Sequence, residues 1–391
     1  MIRVAFIFEY NEGWLGGLNY FRNLISAIDA LPGREIEPVI FVSDITPEQQ
    51  MAGLPKTEVV RSSLFNPDSF AWRARMFLRR VFTRDILVEW LLHRHRVSVM
   101  SHSGFIGRGS SIPAIGWIPD FQHFHLPDFY RGDERDARIA QNRDVCIYCR
   151  CVLLSSYDAQ KDLKDFFPEC VEKSSVLQFV ADVVLDGSQT GGEILHQKYG
   201  YTGRYFLVPN QFWAHKNHRV VIEALDVLRK RGQEVLVLAT GNTHDHRQPE
   251  FFAKLQDYAK ELNVEDRFRV LGMVSRQELM GLMHDAVALI NPSLFEGWST
   301  GVEEAKSLGK RIILSDIPVH HEQDPEGAIF FPPGDASALA DAMVEMYCAD
   351  DAARDSAMMA RAKEALPQRR LNFAAAYQDI VLGAVRPCRP Q

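Results

Sequence analysis

The chain predicts an α/β protein of two doubly wound, parallel-sheet domains, and three observations carry that prediction. Apolar runs of strand length alternate with amphipathic helical stretches along nearly the whole chain. The alternation completes one cycle, pauses at roughly 170–203 in a stretch with turn residues and weak periodicity, and then begins again. With 391 residues, 46% hydrophobic and 24% charged, each half has enough apolar material for its own core.

The first half opens with the strand RVAFIF, a loop holding Gly16 and Gly17, and the helical stretch NYFRNLISAI. Apolar runs follow at PVIFV, SVMSH, AIGWI and CVLLS. The second half restarts with YFLVP at 205 and continues through VIEALDVLRKRG, EVLVLATG, FRVLG, the helix QELMGLMHDA, the strand AVALINP and the strand RIIL. Strands that alternate with helices pair parallel, with helices on both faces of the sheet. The expected boundaries are a first domain over 1–178, a linker over 179–203, a second domain over 204–370 and a last helix over 371–391. Ligands of such sheets bind beyond the carboxyl ends of the strands, so the site is expected in a cleft between the domains.

Composition excludes several function classes. A formal net charge of −7 argues against nucleic acid as the main partner. No apolar run approaches the ~18–20 residues of a membrane span. The N-terminal MIRVAFIF carries one positive charge and runs straight into a strand, so a signal peptide is not expected and a cytoplasmic setting is. Cys146, Cys149 and Cys151 are close in sequence, but no second pair at zinc spacing completes a metal site. Reduced, partly buried thiols are expected there.

Residues 291–318, NPSLFEGWSTGVEEAKSLGKRIILSDIP, carry the functional reading. Asn291, Pro292 and Ser293 close the buried strand AVALI, and Gly309 ends a helical stretch. Thr300 and Glu303 have the spacing of a capping box, which starts the helix near Thr300. The backbone N–H groups of residues 299–302 then point out of the positive end of the helix dipole, a site for phosphate. Glu296 precedes this site and Glu304 lies within the first turns. One carboxylate reaches hydroxyls on one side of a diphosphate and the other on its far side. A nucleotide-diphosphate sugar has that shape.

This stretch resembles the motif of two glutamates eight apart in retaining glycosyltransferases of GT-B fold, family 4, whose usual form is close to FEGFGLPVLEA. Phe295, Glu296, Gly297, Glu304 and Ala305 match it, and Trp298 takes the aromatic slot. Ser299, Thr300 and Gly301 depart from the usual Gly-Leu-Pro, yet small or hydroxylated residues leave the phosphate amides open. The resemblance implies two Rossmann-like domains, a donor held in the second, and a last helix that crosses back to the first. It also implies donor contacts from Gly297, Trp298, Ser299 and Thr300, and base contacts from the backbone around Gly272 and Val274.

Two further motifs agree. In FLVPNQFWAHKNHRVVIEA, Lys216 and Asn217 match the Lys-Gly or Lys-Asn of the family, whose lysine holds the donor diphosphate together with an arginine at the strand end. Asn210 and Gln211 stand where the family has Gly-Arg, so Gln211 replaces a cation and Lys216 balances the diphosphate with the helix terminus and His215. Cleavage of a sugar–phosphate bond builds negative charge on the diphosphate, so a fixed cation lowers the barrier. No Asp-x-Asp occurs, and a metal-bridged diphosphate is not expected. The segment WIPDFQHFHLPDFY after AIGWI resembles the family's HDLSFLHYPEFF. It assigns Asp120 and His123 to acceptor positioning or proton handling, while His125 is read as part of an aromatic plug. Gly16 and Gly17 match the family's glycine turn, where the chain passes close to sugar and phosphate without a Cβ in the way.

Residues 72–96 hold seven arginines against two acidic residues, interleaved with Trp, Phe, Leu and Val. Such a stretch is either a helix pair with solvated arginines or a surface for anionic lipid headgroups. Together the motifs predict a retaining, metal-independent transferase. It moves a hexose-type sugar from a nucleotide-diphosphate donor to a glycan or lipid-linked acceptor, at the inner face of a membrane, with no cofactor. A nucleotide-sugar 2-epimerase, a glycogen-synthase-like polymerase and a non-catalytic nucleotide-sugar sensor remain open alternatives on the same fold.

Overall fold

The computed structural model describes residues 1–8, 15–183, 192–349 and 352–386. The chain divides into two compact units. The first holds Met1–Phe121, Asp133–Phe179 and Gln368–Gln391, and the second holds Gln122–Gly132 and Val180–Pro367.

In the first unit the strands are β1 (Ile2–Phe8), β2 (Ile36–Ser43), β3 (Glu58–Ser62), β4 (Val99–Ser101), β5 (Ala114–Ile118), β6 (Cys151–Leu154) and β7 (Ser174–Val176). They form one seven-stranded sheet in the order β3-β2-β1-β4-β5-β6-β7. Every pairing is parallel, with Ile2 opposite Ile36 and Phe8 opposite Val42 in the longest one. Helices cover both faces, which is why Val4, Ala5 and Phe6, or Val39 through Val42, are buried without alternation. Strand order reverses direction between β1 and β4, the topological switch point of a doubly wound sheet.

The second unit repeats the scheme with β8 (Tyr205–Val208), β9 (Leu236–Thr240), β10 (Phe268–Gly272), β11 (Leu289–Asn291), β12 (Ile312–Ser315) and β13 (Ile329–Phe331). The six-stranded sheet runs β10-β9-β8-β11-β12-β13, again parallel throughout, with its switch point between β8 and β11. Successive side chains of β8 feed opposite faces. Phe206 and Val208 pack with Val221, Leu225 and Met343 on one face, and Tyr205 and Leu207 with Met283, Val302 and Leu314 on the other. Both sheets are Rossmann-like, and the architecture is that of the GT-B fold.

Several sequence expectations change. The edge strands β3, β7 and β13 are short and half-exposed, so they carry little apolar signal. The stretch read as a linker over 179–203 contains a helix, Gly192–Tyr199, while 184–191 lie outside the described residues; β7 falls just before it, in the weakly periodic stretch that begins near 170. Gly16 and Gly17 are not in a loop but in the first turn of the helix Leu15–Asp29; the preceding residues 9–14 lie outside the described residues. Residues 122–132, read from the sequence as part of 1–178, group with the second unit. The C-terminal helix is longer than read, Ala352–Val385, and its portion from Gln368 belongs with the first unit. Among the described residues no helix is long and apolar enough to cross a membrane. Cys146, Cys149, Cys151 and Cys170 are buried and unbridged, and burial pushes the Cys149 thiol up to about 12. At neutral pH it is protonated and inert as a nucleophile.

Candidate active site

The candidate site is built at the switch point of the second sheet, where β8 and β11 end side by side. Asn210, just past β8, donates from Nδ2 to Asn291 Oδ1 at the end of β11 (3.3 Å), and Asn291 Nδ2 donates to Ser299 Oγ (2.7 Å). These bonds tie the two loops and the start of the helix Thr300–Leu308 together. After β8 a short 3₁₀ turn, Ala214–Lys216, ends at Asn217, whose φ of 54° is left-handed. Asparagine tolerates that conformation. Its Nδ2 donates to Pro333 O (2.7 Å) and Pro292 O (3.2 Å), and Leu294 N–H donates to His215 O (2.8 Å). The Lys216 backbone is therefore fixed from both sides.

So anchored, Lys216 Nζ donates to Glu296 Oε1 over 2.6 Å. Ser293 Oγ lies 2.7 Å from both Glu296 Oε1 and Asn291 Oδ1, and its single proton serves one of them at a time. Burial acts to raise the Glu296 pKa, but the Lys216 charge, His215 and the Ser293 hydroxyl outweigh it and hold the carboxyl below its usual range. Glu296 is thus an anion facing a cation in a dry setting. Burial, reinforced by the charge of Lys216, pushes His215 down to about 3, so its ring is neutral and adds no second cation.

The helix Thr300–Leu308 starts where the sequence indicated but not by the expected device. Its N-cap is Ser299, and no side chain caps it. The Thr300–Glu303 capping box does not form, because the buried Glu303 carboxylate accepts from Gln323 Nε2 (3.2 Å) and faces Lys306 Nζ at 3.7 Å. Gln323 also takes the Ser299 N–H on its Oε1 (3.2 Å), so that amide is not open as expected. The N–H groups of Thr300, Gly301 and Val302 make no hydrogen bond among the described residues and remain available to an anion.

Glu304 is buried in the same helix and pairs with Arg276 Nη1, a half-exposed residue that sequence reasoning missed. Burial raises the Glu304 pKa, and the Arg276 charge and hydrogen bond hold the rise back. Arg276 opens the helix Arg276–Asp285, whose Ser275–Glu278 capping box is complete. Gly272 (φ 70°) and the half-buried Val274 lead into it. The nearest sequence signal was this pair, two residues short of Arg276. Ser293 and Gln323 were also missed as site groups.

The remaining candidates separate. Gln211 Oε1 accepts from Asn242 N–H (2.7 Å), and Gly241 (φ 138°) packs so closely that a Cβ would meet Asn210 O at 2.4 Å. Gly297 and Trp298 are half-buried in the loop before the helix. His123 is buried in the short helix Gln122–His125 of the second unit, its ring 4.7 Å from that of Phe124, and His125 stacks on Phe295 at 5.0 Å. Asp120, Gly16 and Gly17 belong to the first unit. Of the four groups assigned to catalysis, the structure brings Lys216 and Glu296 into contact.

Fold and site together define a doubly wound α/β protein with an anion-ready helix terminus and a Lys–Glu pair at a switch point. Residues 195–364 match the family Glycosyl transferases group 1. Over 204 residues, 52% of the chain, it is 28% identical to the O-antigen chain mannosyltransferase RfbU of Salmonella typhimurium strain LT2. That match covers 53% of the relative, so the chain spans about half the length of the curated protein it matches. Among solved structures, HepE of Anabaena in complex with UDP and glucose superposes with a TM-score of 0.71 at 14% identity, over 98% of this chain and 100% of that one. WaaG, a glycosyltransferase involved in lipopolysaccharide biosynthesis, has a TM-score of 0.64 at 14% identity, with coverage of 98% and 100%.

Proposed function

We propose that the protein is a glycosyltransferase that moves a hexose-type sugar, such as mannose or glucose, from a nucleotide-diphosphate sugar to a glycan or lipid-linked acceptor. The reading includes retention at the anomeric carbon and no metal ion. The observation that carries it is the Lys216–Glu296 contact at a switch point that also holds the helix of Thr300, Gly301 and Val302, whose N–H groups are open. The domain match to glycosyl transferases, the mannosyltransferase relative and the UDP and glucose bound to HepE support the same class.

In this reading Lys216 and the three amides hold the diphosphate, Glu304 accepts from the ribose hydroxyls, and Glu296 accepts from hydroxyls of the transferred sugar. The bond from the anomeric carbon to the phosphate oxygen breaks as the acceptor oxygen bonds to that carbon on the same face. The acceptor proton passes to the leaving phosphate oxygen, and the nucleoside diphosphate departs. Charge developing on that oxygen is met by Lys216, already in place. Asp120 and His123 are proposed to orient the acceptor. The setting we propose is the cytoplasmic face of a membrane, in the assembly of a cell-surface polysaccharide.

The test is a panel of UDP- and GDP-sugars incubated with acceptor glycans and the purified protein, with chelator present. Release of nucleoside diphosphate that depends on acceptor, and a product with the donor's anomeric configuration by NMR, are expected. An inverted product refutes retention. Isomerised nucleotide sugar without acceptor supports the epimerase instead, and loss of turnover with chelator refutes metal independence.

A further inference from the structure

We propose that the first unit carries a further ligand site, a pocket at the amino ends of its strands that takes a small phosphate monoester as its dianion. The pocket has a volume of about 700 Å³, the size of a small-molecule site rather than of a lone ion. Arg108, Arg150 and Arg386 line it, and among the described residues no acidic side chain does. Its walls come from the loop between β4 and β5, the end of the helix Gly132–Tyr148 and the end of the C-terminal helix, all within the first unit. Pro113 and Arg150 immediately precede β5 and β6, so the pocket lies at the amino edge of the sheet. The switch-point crevice of a doubly wound sheet opens at the other edge.

Charge identifies the ligand. Arg108 donates from Nε and Nη2 to the Tyr148 hydroxyl (3.1 and 2.9 Å), and Arg150 Nη2 donates to Arg386 O (2.7 Å). None of the three arginines pairs with a carboxylate among the described residues, so all three charges stand. Two helices end at the pocket with their negative poles, each worth about half a charge. Three guanidinium charges against two such poles leave about +2, which a dianion balances. A phosphate monoester carries nearly two charges at neutral pH on three acceptor oxygens, and guanidinium forks match that geometry.

The loop that presents Arg108 is fixed before any ligand arrives. Arg108 stands at the tip of the turn at 107–110, closed by Ser110 N–H to Gly107 O (3.4 Å), with Gly109 at a left-handed φ of 72°. Behind the turn, Glu89 of the helix Ile86–Arg94 accepts from Ser110 Oγ (3.1 Å) and from Ser111 N–H and Oγ (3.0 and 3.1 Å). Arg84 forks onto the same carboxylate (2.5 and 2.6 Å), so its charge is already matched. Beside the cations the wall is apolar. The Phe105 and Tyr148 rings meet at 4.7 Å, and Ile147 is 56% exposed. Such a wall favours an ester with a ring or hydrocarbon body over inorganic phosphate.

The site stands apart from the transfer reading, because binding is measured without sugar donor or acceptor. Phenyl phosphate, phenyl sulfate and inorganic phosphate are titrated calorimetrically into the full chain at low salt, where attraction between charges is least screened. Phenyl phosphate is expected to bind, and the other two to bind more weakly by about tenfold. Arg108→Glu and Arg386→Glu, both at exposed positions, are each expected to weaken phenyl phosphate binding by about tenfold or more with the melting temperature unchanged. The double variant Lys216→Ala with Glu296→Ala, in the second unit, should bind it as the wild type does. Absence of phenyl phosphate binding overturns the proposal, as does binding undiminished in both arginine variants. Inorganic phosphate bound as tightly as phenyl phosphate would mean an adventitious ion only, and phenyl sulfate bound as tightly would refute the dianion. Loss of binding in the Lys216→Ala, Glu296→Ala variant would place the probe in the second unit and end the assignment.

Discussion

Lys216 and Glu296 form a close ion pair, Nζ to Oε1 at 2.6 Å, with 15% and 9% of the two side chains exposed. The pair joins the loop after β8 to the loop after β11, 80 residues apart in sequence. Neither charge has much water to fall back on, so each depends on the other. In the proposed reading an arriving diphosphate shares a cation already fixed in position, which lowers the reorganisation needed when charge develops.

Removing either partner strands a buried charge. Lys216→Ala and Glu296→Ala are each expected to cost about 3 kcal/mol or more in unfolding free energy. The double variant should cost less than the sum, because no orphaned charge remains. Turnover behaves otherwise. Lys216→Ala should lower kcat/KM by on the order of a hundredfold, and the double variant should not recover it. Chemical denaturation and steady-state kinetics on the three proteins check this. Strictly additive destabilisation, or wild-type turnover in Lys216→Ala, contradicts the assignment.

In the proposed reading Gln211 stands where a second cation would help. Its Oε1 now accepts the Asn242 N–H, and Asn242 is exposed, so water can replace that acceptor. Gln211→Arg is therefore expected to cost about 1 kcal/mol or less in stability while tightening binding of a nucleoside diphosphate. Calorimetric titration with UDP and GDP gives the answer. Affinity unchanged for both nucleotides would mean that residue 211 does not face the diphosphate.

The alternation of apolar and helical stretches exposed most of this architecture in the sequence, because strands buried on both faces read as continuous runs such as VAFIF and YFLV. The loops after β8 and β11 were legible for a different reason: Lys216, Asn217 and Glu296 lie in short, distinctive segments. What stayed hidden was set by contacts distant in sequence. Arg276 reaches Glu304 across 28 residues, and nothing local to either announces the pair. Gln323 draws both Ser299 and Glu303 away from the local capping pattern. Likewise nothing local to Arg75, one of the seven arginines of 72–96, announces its pairing with Asp85.

Glu304 and Arg276 give a prediction with a definite pH sign. Burial raises the Glu304 pKa and Arg276 opposes the rise. Only the ionised carboxylate is acceptor-only, so the proposed ribose contact weakens as pH falls through that pKa. Removing the guanidinium in Arg276→Ala lets burial act unopposed and moves the loss of nucleotide affinity to higher pH. Glu304→Ala should weaken nucleoside diphosphate binding at every pH, while Glu296→Ala leaves it nearly intact. Affinities measured across the acidic range decide the matter. Coincident pH profiles for wild type and Arg276→Ala would show that the pair does not tune Glu304, and equal losses in Glu304→Ala and Glu296→Ala would end the division of roles.

Three of the buried histidines contribute together to the acid stability of the fold, and His320, buried and also pushed below its ordinary range by burial, adds a loss of the same sign. His102 lies under Phe6, Tyr20 and Trp117 in the first unit, with Nε2 2.8 Å from the Tyr20 hydroxyl, while His215 and His218 lie in the second. Burial, the largest cause in each case, pushes all three down to about 3. Below about pH 6.5 the unfolded chain binds three protons that the folded chain refuses until near pH 3. Their contribution is therefore complete above the ordinary histidine range and is lost as pH falls through the interval down to about 3. Glu296, held low, adds a loss of the same sign, while Glu304, held high, opposes it. Each histidine contributes a slope of about 1.4 kcal/mol per pH unit within the interval. His218→Phe keeps an aromatic ring against Phe212, now 4.3 Å away and stacked, and removes one titrating group. The dependence of unfolding free energy on pH between about 6 and 4 should then fall by one histidine's share, about 1.4 kcal/mol per pH unit. Denaturant unfolding at stepped pH measures it, and an identical slope in the variant would mean that His218 is not held neutral by the fold.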